Sequence, residues 1–81
     1  MRHAILTPDL DLGETPLVVS VWLARRGAEV VAGDRVVELS AGDVVVDVSA
    51  PVGGVLAERL VGEDETVLPG QELGVIIESE E

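Results

Sequence analysis

The clearest pattern of apolar and polar positions lies in the middle of the chain. Residues 44–49 read Val-Val-Val-Asp-Val-Ser, so positions 44, 46 and 48 form one apolar face with the period of two that is typical of a half-buried strand. The segment Val37-Glu38-Leu39-Ser40-Ala41 precedes it, and Gly42 and Asp43 join the two. Glycine at the first central position of a two-residue connection favours a type II′ turn. The pattern predicts a β-hairpin with Gly42 and Asp43 at its tip.

The two halves of the chain share apolar positions at a shift of 37 residues (70 − 33), which aligns Gly33 with Gly70. The aligned apolar positions are Val18-Val19 with Val55-Leu56, Leu23 with Leu60, Val30 with Val67, Val36 with Leu73, and Leu39 with Ile76. This spacing predicts a two-fold internal repeat. Two such units bury each other's apolar faces, so we expect one core built from both halves.

Composition and turn signals point to the same class of fold. Valine is the commonest residue, and the 81 residues include one Trp and no Phe or Tyr, which favours strands packed with aliphatic side chains. Pairs such as Pro8-Asp9, Arg26-Gly27, Gly33-Asp34 and Pro69-Gly70 cut the chain into short segments. None of these segments has a helical pattern. We predict an all-β fold, a small antiparallel sandwich or barrel, forming one domain over residues 1–81 with frayed termini at 1–5 and 78–81.

Charge narrows the choice of partners. Sixteen acidic residues against five basic ones give a formal net charge of −11 at pH 7. Such a surface repels phosphate backbones and anionic lipid, so we expect neither nucleic-acid nor membrane binding. We expect instead a protein partner with a basic surface. The chain has no cysteine and no long apolar run, so we expect a monomeric cytoplasmic protein without disulfides or a thiolate metal site.

A set of residues at fixed spacing from Leu6 to Ile77 resembles the lipoyl domain of the dihydrolipoyl acyltransferase components of 2-oxo acid dehydrogenase complexes. That domain is related in fold to biotin carboxyl carrier domains. The residues that carry the resemblance are Pro8-Asp9, Leu12-Gly13-Glu14, Trp22-Leu23, Gly27, Val30, Gly33-Asp34, Val36, Glu38-Leu39, Ser49-Ala50-Pro51-Val52-Gly53-Gly54-Val55, Val61, Val67, Gly70 and Leu73. The resemblance implies a flattened antiparallel β-sandwich of two sheets, each of about four strands, with pseudo-two-fold symmetry.

The same resemblance implies where a cofactor would be attached. In this register the family's Glu-Thr-Asp-Lys-Ala stretch falls on Ser40-Ala41-Gly42-Asp43-Val44, so Asp43 occupies the position of the modified lysine. The chain contains no lysine at all. Attachment of lipoate or biotin requires a nucleophilic amine, which a carboxylate lacks and which the always-protonated arginine cannot replace. We therefore expect no lipoate and no biotin on this chain.

Each candidate residue also has a simple structural interpretation. Asp43 is a common turn residue, Trp22 is most simply a core side chain, and His3 has no neighbours at metal-ligand spacing. In lipoyl domains the opening loop lies beside the modified turn, which implies that Asp11, Glu14 and Asp43 gather at one acidic end. We expect that end to be solvated, to hold no metal ion and to be the surface for a partner.

No pairing of nucleophile and base is present, so we expect no enzymatic activity from this chain itself. The preferred hypothesis is an unmodified lipoyl-like interaction module that docks on an enzyme assembly such as a 2-oxo acid dehydrogenase. A second hypothesis is a domain or subunit of a dihydrolipoyl acyltransferase. A third is a decayed structural domain that has no partner.

Overall fold

The computed structural model describes residues 1–11, 13 and 15–79, and these residues form strands and turns without a helix. The strands are β1 (Arg2–Leu6), β2 (Leu17–Trp22), β3 (Glu29–Val30), β4 (Arg35–Ala41), β5 (Val44–Ser49), β6 (Gly54–Arg59), β7 (Thr66–Val67) and β8 (Glu72–Glu78). The strands make two four-stranded sheets, in the orders β1-β8-β6-β3 and β5-β4-β2-β7. Every pairing is antiparallel. The all-β, two-sheet prediction is confirmed.

The two sheets repeat one another at the spacing found in the sequence. A shift of 37 residues carries β2 onto β6, β3 onto β7 and β4 onto β8, with identical bounds. The irregularities repeat as well, because the pairing of β2 with β4 shifts register between Val19 and Val21, and that of β6 with β8 shifts between Leu56 and Glu58. The internal repeat therefore holds at the level of individual hydrogen-bonded pairs.

The core lies between the sheets and draws on both halves. Its fully buried members include Val19, Leu39, Leu56 and Ile76, which are two pairs of repeat-related residues. Trp22 is also buried at the edge of this cluster. Because β-branched and leucine side chains fill both inner faces, the two sheets hold each other in place without further aromatic residues.

The first strand differs from expectation. Residues 1–5 were expected to fray, but Arg2–Leu6 forms β1, which pairs with β8 from Arg2↔Ile77 to Leu6↔Glu72. Ile5 is almost fully buried in the core, and the Glu78 N–H donates to the Met1 carbonyl at 2.7 Å. Residues 2–5 and Glu78, which were expected to fray, thus lie within the paired strands β1 and β8. Glu80 and Glu81 lie outside the described residues.

Within the part of the chain that is described, no helix has the length and apolar character needed to cross a membrane.

Candidate functional site

The tip of the β4–β5 hairpin has the predicted form. Ala41 pairs with Val44 across the turn, and Gly42 and Asp43 make the two-residue connection. Gly42 has φ of 60°, whereas Asp43 has a negative φ, which is the combination that a type II′ turn requires. Ala41 is buried below the tip, while Asp43 and Val44 are exposed. The carboxylate of Asp43 is therefore presented to solvent at the end of a two-stranded projection.

The opening loop between β1 and β2 lies against this turn. A Cβ atom placed on Gly42 would be 4.0 Å from Cγ2 of Thr15, so the loop and the hairpin tip are in ordinary van der Waals distance. Asp11 is exposed in the same loop. Glu14 lies outside the described residues. The structure thus brings the opening loop to the turn that contains Asp43. Among the described residues of that loop, the contact is made by Thr15 and not by a carboxylate.

Among the described residues, the side chains of Asp11 and Asp43 make no hydrogen bond or ion pair. No group of three His, Cys, Asp or Glu side chains there is arranged to hold a metal ion.

A small apolar groove runs between the opening loop and the turn after β7. Its volume is about 260 Å³, below the usual range for sites that enclose a small molecule. The residues that line it are Leu10, Gly13, Thr15, Pro16, Leu17, Thr66, Val67, Leu68 and Pro69. The groove suits contact with one or two side chains better than enclosure of a ligand.

Trp22 is structural, as expected. Its indole Nε1–H donates to the Val61 carbonyl at 2.9 Å, and its backbone N–H donates to Oε2 of Glu63 at 3.2 Å. The guanidinium of Arg59 lies over the ring, 5.6 Å from its centre. The ring is thus held at its edge and on one face by groups of β6 and the loop after it.

His3 makes a contact that sequence reasoning missed. Its Nε2 lies 2.7 Å from Oε1 of Glu78, in a partly buried position between β1 and β8. No signal in the sequence joins residues 75 positions apart; only the pairing of β1 with β8 does so. This contact ties down the edge of the sheet and adds nothing to the hairpin tip.

The comparisons with known proteins decide the family. Residues 3–76 match the biotin/lipoyl family model, described as biotin-requiring enzyme. This chain belongs to the biotin/lipoyl attachment domain family. The solution structure of the lipoyl domain of the 2-oxoglutarate dehydrogenase complex from Azotobacter vinelandii covers 95% of the chain with a TM-score of 0.74 and 30% identity, and the match spans 100% of that domain.

Two curated relatives show that this lipoyl-type domain is related to acyltransferase components. It is 33% identical over 78 residues to the dihydrolipoyllysine-residue acetyltransferase component of the acetoin cleaving system of Pseudomonas putida. It is 37% identical over 78 residues to the dihydrolipoyllysine-residue succinyltransferase component of the 2-oxoglutarate dehydrogenase complex of Buchnera aphidicola. Each match covers 96% of the chain but only about a fifth of the relative, 21% and 20% respectively.

The fold extends to a part of a more distant protein. A single-chain, multi-domain long-chain acyl-CoA carboxylase matches 99% of the chain, over 7% of its own length, with a TM-score of 0.79 and 22% identity. At that identity the match shows the fold alone. A lipoyl domain is a carrier and not a catalyst, which agrees with the expectation that this domain has no enzymatic activity of its own.

Proposed function

We propose that this lipoyl-type domain carries neither lipoate nor biotin and acts as a docking module for a protein partner. The observation that supports the proposal is the exposed Asp43 at the tip of the β4–β5 hairpin, in a chain without lysine. By family resemblance Asp43 stands where the attachment lysine would be. A carboxylate has no amine to form the amide, so the position that would bear a swinging arm bears a fixed negative charge.

The difference from the family's attachment sequence extends over more than one residue. In the family's register, Ser40-Ala41-Gly42-Asp43 replaces the Glu-Thr-Asp-Lys that a ligase would meet. Ala41 is buried and Gly42 supplies the positive φ of the turn, so these residues favour a stable, tight tip. A hairpin so built suits a rigid contact surface.

Charge supports the choice of partner. The net charge of −11 favours a basic protein surface, and electrostatic steering would speed association with it. The two curated relatives are components of an acetoin cleaving system and of a 2-oxoglutarate dehydrogenase complex. We therefore propose an enzyme assembly of the 2-oxo acid dehydrogenase type as the docking partner.

A second function remains in view because both curated relatives are acyltransferase components and the chain spans about a fifth of them. In that case the domain is one part of a dihydrolipoyl acyltransferase. A Pro/Ala-rich linker and a catalytic domain in the same reading frame after Glu81 would favour this alternative. If the domain binds no partner in any assay, a decayed structural domain is the better description.

The absence of modification is tested by intact-mass spectrometry. The purified chain is incubated with lipoyl or biotin ligase, ATP and the corresponding acid, beside the lipoyl domain of a 2-oxoglutarate dehydrogenase complex as a positive control. We expect the control to gain the mass of one attached group and this chain to keep its mass. Addition of a lipoyl or biotinyl group to the chain would refute the proposal.

Docking through the acidic end is tested with a double variant. Asp11→Asn with Asp43→Asn should slow association with the isolated partner assembly, and binding of the wild type should weaken as salt is raised toward 0.15 M, where the Debye length is about 8 Å. The matched control is Glu29→Gln with Glu72→Gln, which removes the same charge at two other exposed positions. Equal slowing by both pairs, or binding that ignores salt, would show that the acidic residues serve solubility alone.

A further inference from the structure

The two sheets end in equivalent edge strands that carry opposite kinds of residue. A shift of 43 residues (45 − 2) superposes β1 on β5, because the two strands pair with repeat-related partners. Arg2 pairs with Ile77, and Val45 pairs with Ser40, the repeat counterpart of Ile77. In the same way His3 pairs with Ile76, and Val46 pairs with Leu39. Arg2 and His3 are thus the counterparts of Val45 and Val46. The two edges share one backbone geometry and differ in their side chains.

Edge β1 carries two contacts between side chains that contain ionisable groups. Arg2 forms an ion pair with Glu58 at 3.3 Å, and His3 contacts Glu78 at 2.7 Å. Charged side chains are a common means of preventing an edge strand from pairing with another chain. The corresponding positions on β5 are Val45 and Val46, so β5 has no ionisable side chain at these two positions.

The hydrogen bonds of β5 leave one side of its backbone open. Within the described residues β5 pairs with β4 alone. Because the turn closes on the pair Ala41 and Val44, alternate residues of β5 direct their N–H and C=O groups away from β4; these are Val45 and Asp47. At the far end, the Ala50 carbonyl accepts from Gly33 N–H at 2.9 Å and the Ala50 N–H donates to Asp34 at 2.8 Å, so the open stretch is 44–48.

The side chains of this stretch are apolar on the inner side. Val46 and Val48 pack partly buried against the core, while Val44 and Val45 are 47% and 60% exposed. A further strand laid along β5 would extend the inner face that Val44, Val46 and Val48 begin, whereas Val45 lies on the outer face. Main-chain hydrogen bonds supply affinity in such strand addition, and alternate side chains supply specificity.

Charge indicates what kind of strand fits. Asp47 lies opposite Glu38 on the outer face, and Asp43 stands at the tip, whereas the nearest cation is Arg35, which contacts Asp47 at 3.2 Å. A strand with Arg or Lys on its outer side would complement these carboxylates. A second copy of this chain would instead bring another charge of −11 and another Asp47 to the same edge.

We propose that β5 is a docking edge that accepts an extended, basic segment of a partner protein as an added strand. The segment places apolar residues beside Val44 and Val46 and Arg or Lys beside Asp47. This inference rests on the docking role proposed above and specifies the surface and the chemistry of the partner segment.

The probe is a capped six-residue peptide of alternating Arg and Val, with a Glu/Val peptide of the same length as its control. Amide resonances of the ¹⁵N-labelled domain report where the peptide binds, and fluorescence anisotropy of labelled peptide reports the affinity. We expect the basic peptide alone to bind, to shift the amides of residues 44–48, and to slow hydrogen exchange at Val45 and Asp47.

Two variants of β5 test the mode of binding. Val45→Pro removes an outward N–H and leaves the bonds to β4 intact, which an edge strand tolerates. Its affinity for the basic peptide should fall about tenfold, from the lost hydrogen bond and the steric block. The matched control is Arg2→Pro on β1, which should leave the affinity unchanged. Asp47→Lys keeps the backbone and reverses the local charge, so it should also weaken binding of the basic peptide. If Val45→Pro does not fold, Asp47→Lys tests the proposal in its place.

Absence of binding by the basic peptide, or wild-type affinity in a folded Val45→Pro or in Asp47→Lys, would overturn the proposal. So would sedimentation data that show a dimer lost in Val45→Pro, since the occupant of β5 would then be a second copy. These outcomes are separate from the mass assay, because a chain modified by a ligase would refute the non-carrier function without affecting β5.

Discussion

Gly54 is a position where the close packing of strands β6 and β8 leaves no room for a side chain. It is the first residue of β6 and pairs with Glu78 of β8 and with Val30 of β3. An alanine Cβ at this position would overlap the carbonyl oxygen of Ile77 and lie 2.8 Å from its carbonyl carbon and 2.9 Å from Cα of Glu78. All three atoms belong to the backbone, so no side chain can rotate away to relieve the contact.

The cost of Gly54→Ala follows from that geometry. Overpacking of a well-packed site costs about 1–3 kcal/mol, and a contact with backbone that must separate two paired strands belongs at the upper end. We expect a loss of about 3 kcal/mol in the free energy of unfolding. The whole free energy of unfolding of a domain of this length is about 4–12 kcal/mol. The expected loss of about 3 kcal/mol corresponds to a fall of about 12–24 °C in Tm.

The measurement is urea unfolding followed by the fluorescence of Trp22, the single tryptophan, which is buried in the folded domain. The matched control is the neighbouring Gly53→Ala, whose Cβ would meet no atom closer than the Val30 carbonyl oxygen at 3.5 Å, an ordinary contact. We expect Gly53→Ala to stay within about 1 kcal/mol of the wild type. Equal costs for the two variants, or a cost below about 1 kcal/mol for Gly54→Ala, would refute the reasoning.

Three further outcomes are expected. Asp64, with φ of 74°, is the one non-glycine with positive φ among the described residues, and it is the repeat counterpart of Gly27. Asp64→Gly should therefore raise the free energy of unfolding, measured in urea, by up to about 1 kcal/mol. A lower free energy of unfolding in this variant would contradict backbone strain at Asp64. Arg59→Ala should lower the free energy of unfolding by about 0.5–1 kcal/mol and alter the fluorescence emission of Trp22, because the guanidinium lies 5.6 Å from the ring centre. Unchanged emission would argue against that contact. Asp43→Lys restores an amine without its flanking residues, so mass spectrometry after ligase treatment should show little or no lipoylation; efficient modification would show that the rest of the recognition surface is intact.

Much of the fold was present in the sequence because the repeat and the turns are local signals. The alternation in 44–49 with glycine before Asp43 predicted the hairpin, and the shift of 37 residues predicted which strands are equivalent. The resemblance to lipoyl domains added the two-sheet arrangement, which the structure and the Azotobacter domain confirm. The cytoplasmic location and the lack of cofactor stay predictions.

Sequence patterns indicate least where stability comes from distant pairing. Residues 1–5 were expected to fray as a chain end, yet β8 supplies hydrogen bonds to β1 and Glu78 contacts His3. At the candidate site, the nearness of Thr15 to Gly42 was implied by the resemblance and by no local pattern, because it depends on how a loop returns to a turn. Glu14, the other acidic residue expected there, lies outside the described residues.

The two matching sheets place very different demands on the folding chain. In one sheet, β4 and β5 meet through a two-residue turn, so their contact forms within a local hairpin. In the other, the equivalent pair of strands joins Arg2 to Ile77. Closing a loop between residues 75 positions apart (77 − 2) instead of 3 (44 − 41) costs about 3 kcal/mol more in chain entropy by logarithmic scaling. On a ribosome, β1 would wait without its partner until β8 has left the exit tunnel, while the hairpin that bears Asp43 is already formed.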